Sequence, residues 1–264
     1  MKILAIGDPH GDLRAIRKIP LWNIDLILLT GDLGKASLAR EMAFENIRRK
    51  QKGLPEKEYS PSVKKKAFME AYDSSVKLVR YLSQHAPVYT IYGNVESTNP
   101  EIRKESKKIG LKLPFLTDRL NSMKGVRVIN NRVANFNKVR IGGLQYFVDT
   151  NWVREFKPKD YRESLESSRE QTDKAKKVLR GFGSLDILVC HQPPYGVLDK
   201  VTAKFAPEHW KGKHAGSKVI LDYVRKYKPG YVLCGHIHEG EGSMQVGKTK
   251  VYNLGMGGYC IIEG

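Results

Sequence analysis

Five short polar clusters, each carrying side chains that bind divalent cations, follow apolar runs in this chain. They are Gly7-Asp8-Pro9-His10, Gly31-Asp32, Gly93-Asn94, Cys190-His191 and Gly235-His236-Ile237-His238. Carboxylates, imidazoles and amide oxygens are groups with which proteins hold such cations. Any one of the clusters alone is typical of a turn or a helix cap. Their occurrence together in one chain predicts a site for two metal ions.

The first three clusters supply oxygen ligands and one imidazole. Asp8 and His10 lie two residues apart in an extended segment, and the preceding glycine lets the backbone turn both side chains toward one cation. Asp32 has two carboxylate oxygens, so it can bridge two cations. Asn94 adds a neutral amide oxygen, which suits a site that is already rich in negative charge.

The last two clusters supply imidazoles. His191 follows one apolar run, and His236 and His238 follow the next. Because His236 and His238 are two residues apart in an extended segment, their side chains diverge. We expect them to serve different metals, or one metal through different ring or backbone atoms.

Apolar runs alternate with amphipathic segments, which predicts an α/β fold. Strands are predicted at 2–6, 25–29, 87–91, 186–190 and 230–234, and helices at 61–84, 160–181 and 216–227. Further hairpins are predicted over 126–143, with turns at Asn130-Asn131 and Asn137-Lys138, and over 244–263, with a turn at Gly247-Lys248. This mixture indicates two sheets, partly parallel and partly antiparallel. The polar clusters lie at the carboxyl ends of strands, where α/β sheets gather their ligands.

Length and charge limit the organisation and the partners. The 264 residues contain no glycine-, serine- or proline-rich linker, which predicts one domain over 1–264 with a basic helical insertion at about 35–85. The net charge is +18, from 46 basic and 28 acidic residues. Such an excess favours nucleic acid or phosphorylated ligands, although the lysine-rich surface of a heat-stable protein has the same composition.

The compartment is predicted from what the sequence lacks. Three cysteines do not make a disulfide framework in a chain of this length. The N-terminal run lacks a signal-peptide cleavage pattern, and no apolar run approaches the roughly 20 residues that cross a bilayer. We therefore expect a cytoplasmic protein without a membrane partner. Helices over about 36–85 offer a surface for a homo-oligomer, which the pattern does not require.

Taken in order, the five clusters resemble the calcineurin-like metallophosphoesterase superfamily. The pattern of that superfamily runs Asp-x-His, Gly-Asp, Gly-Asn-His-Glu/Asp, a later His, and Gly-His-x-His. The resemblance extends from residue 4 to about residue 255. It implies a four-layer α/β/β/α sandwich, in which two mixed β-sheets are flanked by helices.

The resemblance also implies a ligand set for two divalent cations, with manganese favoured over iron, zinc or nickel. It assigns one cation to Asp8, His10, Asp32 and His238, and the other to Asp32, Asn94, His191 and His236. It further implies that Asp32, Asn94 and His191 act in hydrolysis together with a hydroxide that bridges the two metals. The implied substrate is a phosphate ester.

One position departs from the superfamily pattern. The third cluster reads Gly93-Asn94-Val95-Glu96, with Val95 where the superfamily has the histidine assigned to leaving-group protonation or transition-state stabilisation. Loss of a general acid typically costs about 10²–10⁴-fold in rate. Aryl oxides and strained cyclic diesters need that proton less than alkoxides do. The sequence therefore predicts a phosphodiesterase acting on nucleotide or nucleic-acid diesters.

Two other functions remain open at the level of sequence. A phosphomonoesterase acting on proteins or small molecules would need an acid from another side chain, and His209 and His214 are the candidates for such substrate contacts. They flank Trp210-Lys211-Gly212-Lys213, in a loop at 205–215 that could overhang the metals. The alternative without catalysis is a metal-binding scaffold.

Overall fold

The computed structural model describes residues 1–204 and 206–263. Its strands are β1 (Lys2–Ile6), β2 (Leu26–Leu29), β3 (Val88–Thr90), β4 (Val126–Val128), β5 (Arg132–Phe136), β6 (Val139–Leu144), β7 (Ile187–Cys190), β8 (Tyr231–Cys234), β9 (Gly242–Val246), β10 (Thr249–Asn253) and β11 (Tyr259–Glu263). Its helices are α1 (Leu13–Ile16), α2 (Ser37–Gln51), α3 (Pro61–Leu82), α4 (Asn99–Ile109), α5 (Leu116–Asn121), α6 (Thr150–Phe156), α7 (Tyr161–Phe182) and α8 (Lys218–Tyr227). The strands and helices predicted next to the polar clusters are present, with ends within two residues of the prediction.

Local signals set the ends of the helices near the site. At the start of α3, the Ser60 hydroxyl accepts a hydrogen bond from the Val63 amide, and Pro61 occupies the first helical position. The α8 helix begins in the same way at Ser217. It ends at Lys228, which adopts a left-handed conformation before a proline that cannot continue the helix.

The first sheet has the strand order β11-β1-β2-β3-β4. Strands β1 to β4 are parallel to one another, and β11 pairs antiparallel with β1. The register sets Ile6 opposite Leu29, and Leu29 opposite Thr90. The segments that leave β1, β2 and β3 therefore emerge side by side at one edge of the sheet.

The second sheet has the strand order β5-β6-β7-β8-β10-β9. Its four central strands are parallel, and β5 and β9 are antiparallel edge strands. Val189 of β7 lies opposite Leu233 of β8, so the segments after these two strands also start side by side. Each sheet thus brings its own group of polar clusters together.

Three apolar clusters fill the spaces between four layers. Residues of β1 and β2 pack against α3 in the outer layer, where α3 contributes Leu78, Val79 and Leu82. The inner faces of the two sheets pack against each other, with Ile3 and Leu28 on one side and Ile187 on the other. Residues of β7 and β8 pack against α7 and α8 in the fourth layer. The predicted four-layer sandwich is confirmed.

One predicted hairpin is wrong. Asn130 and Asn131 do not join paired strands, because β4 belongs to the first sheet and β5 to the second. The two asparagines lie where the chain crosses between the sheets, and the Asn130 side chain accepts a hydrogen bond from the Tyr92 amide. Asparagine pairs occur in connections between sheets as well as in hairpin turns. The local pattern therefore does not show whether the two flanking strands pair with each other. The hairpins at Asn137 and Gly247 are present, and both residues have positive φ.

The basic range 35–85 consists of α2 and α3. No residue of α2 is buried, whereas the second half of α3 packs into the outer core. That this range is an insertion remains a prediction. Across the described residues, we find no helix with both the length and the apolar character needed to span a bilayer.

Candidate metal centre

The polar clusters of both sheets converge on one site. Asp8, Asp32 and Asn94 follow strands of the first sheet, and His191, His236 and His238 follow strands of the second. Asp8, Asp32 and His191 are at most 3% exposed, whereas Asn94 is exposed. The site therefore has a buried floor and an open mouth.

One group of ligand atoms surrounds Asp8. The Nε2 atom of His238 lies 3.2 Å from Asp8 Oδ2. The His10 and His238 rings lie edge to face, with centroids 5.3 Å apart, and His10 Nε2 is 3.8 Å from Asp32 Oδ2. Asp8, His10 and His238 each offer an atom within 4.8 Å of the other two. These residues can hold one cation together with Asp32.

A second group surrounds Asn94. Its Oδ1 atom lies 3.0 Å from His191 Nε2 and 2.9 Å from His236 Nδ1. The Oδ1 atom of Asp32 is 3.6 Å from the same His191 nitrogen. Asp32 thus directs one carboxylate oxygen toward His191 and the other toward His10, which is the arrangement a bridging ligand requires.

The donor set fits divalent cations. Ligand atoms that each lie about 2.0–2.2 Å from a common metal ion at right angles are roughly 3 Å apart, as the Asn94 oxygen is from two imidazole nitrogens. The residues present are those that two cations would need.

Electrostatics support the same interpretation. Burial lowers the pKa of His236 to about 3 and also lowers the pKa of His10, so both imidazoles are neutral and able to donate a lone pair. Burial acts to raise the pKa of Asp8, but His191, His238 and the His236 amide outweigh it and keep that pKa below its usual value. Burial likewise opposes protonation of His191, yet the carboxylates around it raise its pKa. The buried carboxylates make the floor of the site negative, which favours the binding of cations.

Comparison with known proteins identifies the family. A family model described as calcineurin-like phosphoesterase matches residues 1–240. The chain belongs to this family. Membership supports metal-dependent phosphoester hydrolysis, and two divalent metals are typical of the family.

Relatives with curated descriptions extend beyond this chain. The UPF0046 protein T07D4.2 of Caenorhabditis elegans is 25% identical over 265 residues, covering 97% of this chain and 56% of that protein. The human metallophosphoesterase domain-containing protein 1 is 39% identical over 70 residues, covering 26% of this chain and 19% of that protein. The chain therefore spans about half the length of the first relative, and its match to the second covers about a fifth of that protein.

Solved structures share the fold. The phosphopantetheinyl hydrolase PptH of Mycobacterium tuberculosis superposes with a TM-score of 0.55 at 16% sequence identity. The match covers 97% of this chain and 89% of that one. At this identity the likeness is one of architecture, and it agrees with the two flanked sheets described above.

In this calcineurin-like phosphoesterase, Thr30 orients two of the candidate ligands. The Thr30 carbonyl lies 2.9 Å from His191 Nδ1, so the ring donates there and directs Nε2 into the site. The Thr30 hydroxyl donates to Asp8 Oδ1 at 3.0 Å. Such outer contacts fix the tautomer and direction of a metal-ligating histidine. We did not expect this role from the sequence, although Thr30 directly precedes the second cluster.

Glu96 joins the second and third clusters. One carboxylate oxygen accepts hydrogen bonds from the Leu33 and Gly34 amides at 2.8 and 3.3 Å, and the other accepts from the Gly93 amide at 3.0 Å. Burial, followed by the charge of Asp32, raises the pKa of Glu96 to about 7. Glu96 therefore bonds to backbone, and it ties the second and third clusters together.

Three candidate ligands have unusual backbone conformations. The φ angles of His10, Asp32 and His236 are 42°, 45° and 67°. Residues other than glycine seldom adopt these values, and each instance costs of order 1–3 kcal/mol. The surrounding structure must hold these residues in place, as expected where side-chain direction matters more than local stability.

Gly93 is required by close packing, and its replacement is our first prediction. A Cβ at this position would lie 2.6 Å from His191 Cε1 and closer still to Asp32 Oδ1. We expect Gly93→Ala to displace both ligands, to weaken metal binding by about tenfold or more, and to destabilise the fold by about 2 kcal/mol. Metal titration and urea unfolding measure the two effects.

The matched control is Gly181→Ala near the end of α7. Apart from the adjacent residues and the backbone of α7 itself, no described atom lies within 4 Å of the position that a Cβ would take there, so this helical change should stabilise the fold by about 0.5–1 kcal/mol. Equal metal affinity in wild type and Gly93→Ala would contradict the packing argument.

The two candidate replacement donors do not contact the metal-site residues through any described hydrogen bond or ring contact. His214 Nδ1 donates to the buried Asp199 carboxylate at 2.6 Å, and the ring packs against that of Tyr195. His209 is exposed and packs against Trp210. Residue 205, where the predicted overhanging loop begins, lies outside the described residues. A role for either histidine in substrate contact remains a prediction.

Two further side chains, Tyr146 and Arg40, lie at the site. Tyr146 places its ring against His191 and His236, at centroid distances of 5.6 and 5.2 Å. Burial and the charge of Asp32 raise the pKa of Tyr146 to about 12, so it stays neutral. Arg40 of α2 places its guanidinium 3.4 Å from His10 Nε2. No described carboxylate forms an ion pair with Arg40, and no sequence motif marked it.

Proposed function

We propose that this chain is a dinuclear metal-dependent phosphodiesterase that hydrolyses nucleotide or nucleic-acid diesters. The observation that carries the proposal is the combination of a complete candidate ligand set with Val95 beside it. The Val95 amide donates to Asp32 Oδ1 at 2.9 Å, but its side chain has no proton to give. The chain retains the groups that activate a nucleophile and lacks the usual group that protonates a poor leaving group.

The residues of the chain have separable tasks in this proposal. Two bound divalent cations, with manganese the first to test, would supply an activated water and neutralise phosphoryl oxygens. Asp32 would contribute one carboxylate oxygen to each cation, since its two oxygens face His10 and His191. Asn94 and His191 would hold the second cation, and the Thr30 carbonyl, which accepts from His191 Nδ1, directs Nε2 into the site. Arg40 stands at the open mouth, where a guanidinium can bind a phosphoryl oxygen.

The basic surface supports a nucleotide or nucleic-acid substrate. The net charge of +18 attracts polyanions. The helix that carries Arg40 also carries Arg48, Arg49 and Lys50 in its last turn. An exposed basic helix beside the mouth of the site suits a substrate that bears more than one phosphate.

Turnover of defined esters tests the proposal. Protein loaded with Mn²⁺ is assayed on bis-p-nitrophenyl phosphate, p-nitrophenyl phosphate, 2′,3′-cyclic nucleotides, and short RNA and DNA. We expect at least one diester to be hydrolysed faster than the monoester. Faster turnover of the monoester than of every diester contradicts the diester preference and favours the phosphomonoesterase. Bound metal without turnover of any ester favours the scaffold.

Replacing Arg40 tests the phosphate contact. A hydrogen bond to a charged group is worth about 1.5–3 kcal/mol, so Arg40→Ala should lower kcat/KM for bis-p-nitrophenyl phosphate by about tenfold to a hundredfold. Arg40→Lys should restore part of the loss, because it keeps the charge without the planar fork. Arg48→Ala is the control, since Arg48 lies on the same helix and pairs with Glu45. If Arg40→Ala and Arg48→Ala have the same kcat/KM, Arg40 does not contact the substrate.

A further inference from the structure

A largely apolar cavity of about 290 Å³ lies beside the metal centre. Its walls come from α2, α3, α4 and the loop that carries the third cluster. Pockets for whole ligands typically measure about 300–1,000 Å³. This cavity is therefore of a size to hold one part of a small molecule, such as a ring, rather than a large ligand.

The cavity begins next to the site residues. Val95 and Glu96 form part of its wall, and both follow Asn94 directly. Val95 thus joins the two regions, because its amide is bonded to Asp32 and the residue lines the cavity. A phosphate ester bound at the metal centre would thus have this cavity adjacent to it.

The opposite wall presents aromatic and aliphatic surface. The Phe68 and Tyr72 rings, one turn apart on α3, are stacked at a centroid distance of 6.2 Å and an angle of 23°. Met42 and Ile102 add aliphatic surface. Flat ring faces and flexible apolar side chains favour a planar aromatic occupant.

One helix faces both the metal centre and the cavity. Ala39 and Met42 of α2 and Ala36, which directly precedes it, line the cavity, and Arg40 of the same helix reaches His10. The small alanine side chains leave the space open. If Arg40 binds the phosphoryl group of an aryl ester, the aromatic ring of that ester can extend along α2 into the cavity.

We propose that this cavity binds an aromatic leaving group of the phosphoester substrate. The inference rests on the proposed function and names the substrate class of the same site. An aryl oxide departs without a proton from the enzyme, which agrees with a valine at position 95. Valine in place of the superfamily's histidine would then have two effects. It removes the general acid, which an aryl oxide does not need, and it adds apolar surface for that leaving group.

Binding of two phosphonates tests the cavity independently of turnover. Phenylphosphonate and methylphosphonate both carry a stable carbon–phosphorus bond and differ in the ring alone. Titration calorimetry on the Mn²⁺-loaded protein should give phenylphosphonate at least about tenfold the affinity of methylphosphonate, because the ring is buried. This comparison uses wild-type protein and does not depend on the folding of a variant.

Filling the cavity locates the ring. Ala39 is exposed on α2 at the cavity wall, so Ala39→Trp should bring the affinity for phenylphosphonate down to that for methylphosphonate. Ala43→Trp makes the same change one turn further along α2, at an exposed position outside the cavity, and should keep the preference. Turnover of p-nitrophenyl methyl phosphate, in which the ring is on the leaving oxygen, should fall about tenfold or more in Ala39→Trp.

The outcomes separate this inference from the proposed function. Equal affinity of the two phosphonates for the wild-type protein overturns the inference and leaves the diesterase proposal standing. Unchanged turnover of p-nitrophenyl methyl phosphate in Ala39→Trp also overturns it, because the ring then lies elsewhere. A preference for phenylphosphonate that Ala39→Trp removes, in a protein that hydrolyses no ester, supports the cavity and sinks the proposed function.

Discussion

Asp32→Asn should leave a folded protein that binds fewer than two cations and turns over bis-p-nitrophenyl phosphate at least about 10³-fold more slowly. The two carboxylate oxygens of Asp32 face His191 on one side and His10 on the other. An amide has the same shape but only one acceptor oxygen, and it carries no charge. It can serve one group of ligands and leaves the other incomplete.

Metal stoichiometry by mass spectrometry and kcat measured on the same sample check this result. The control is Asp173→Asn, which removes an exposed carboxylate paired with Lys176 on α7 and should change neither quantity. Retention of two tightly bound cations and of wild-type turnover in Asp32→Asn would show that Asp32 does not bridge.

Val95→His should raise the hydrolysis of alkyl phosphate monoesters by about 10²-fold or more, with a much smaller effect on aryl esters. The imidazole would supply a proton to a leaving alkoxide, and a p-nitrophenolate has little need of it. The backbone at this position is already anchored, because the Val95 amide donates to Asp32. The change should therefore alter the side chain without moving the loop.

The measurement is the ratio of kcat/KM for glycerol 2-phosphate to that for p-nitrophenyl phosphate. Val95→Phe is the control, since it adds a ring of similar size without a donor. If Val95→His and Val95→Phe give the same ratio, the side chain at position 95 does not reach the leaving group. The diesterase proposal would then lose its main chemical argument.

The sequence predicted those parts of the fold and site that depend on local patterns. Apolar runs ending in Asp, Asn or His identified strands β1, β2, β3, β7 and β8 together with the residues that follow them. Because parallel strands of one sheet place their carboxyl ends together, the proximity of Asp8 and Asp32 could be anticipated without coordinates. That His191 of the second sheet joins them was implied by the family resemblance alone. The ion-binding roles of these residues remain proposals.

Features that depend on distant packing could not be predicted. The chain at Asn130 crosses between sheets, and its local pattern is the same as that of a hairpin turn. Arg40 reaches the site because α2 lies over His10, and nothing in its neighbours distinguishes it from Arg48. The cavity between Phe68 and Val95 joins distant segments of the chain whose contact is tertiary.

The pairing of β11 with β1 has a consequence for synthesis in the cell. Ile3 pairs with Ile262 across the outer edge of the sheet, so β1 must wait for a strand that is made more than 250 residues later. At translation rates of about 5–20 residues per second, the outer backbone edge of β1 stays unpaired for roughly 10–50 s on the ribosome. During that interval the unpaired edge of β1 can pair with strands of neighbouring nascent chains. Early binding by a chaperone would prevent such aggregation.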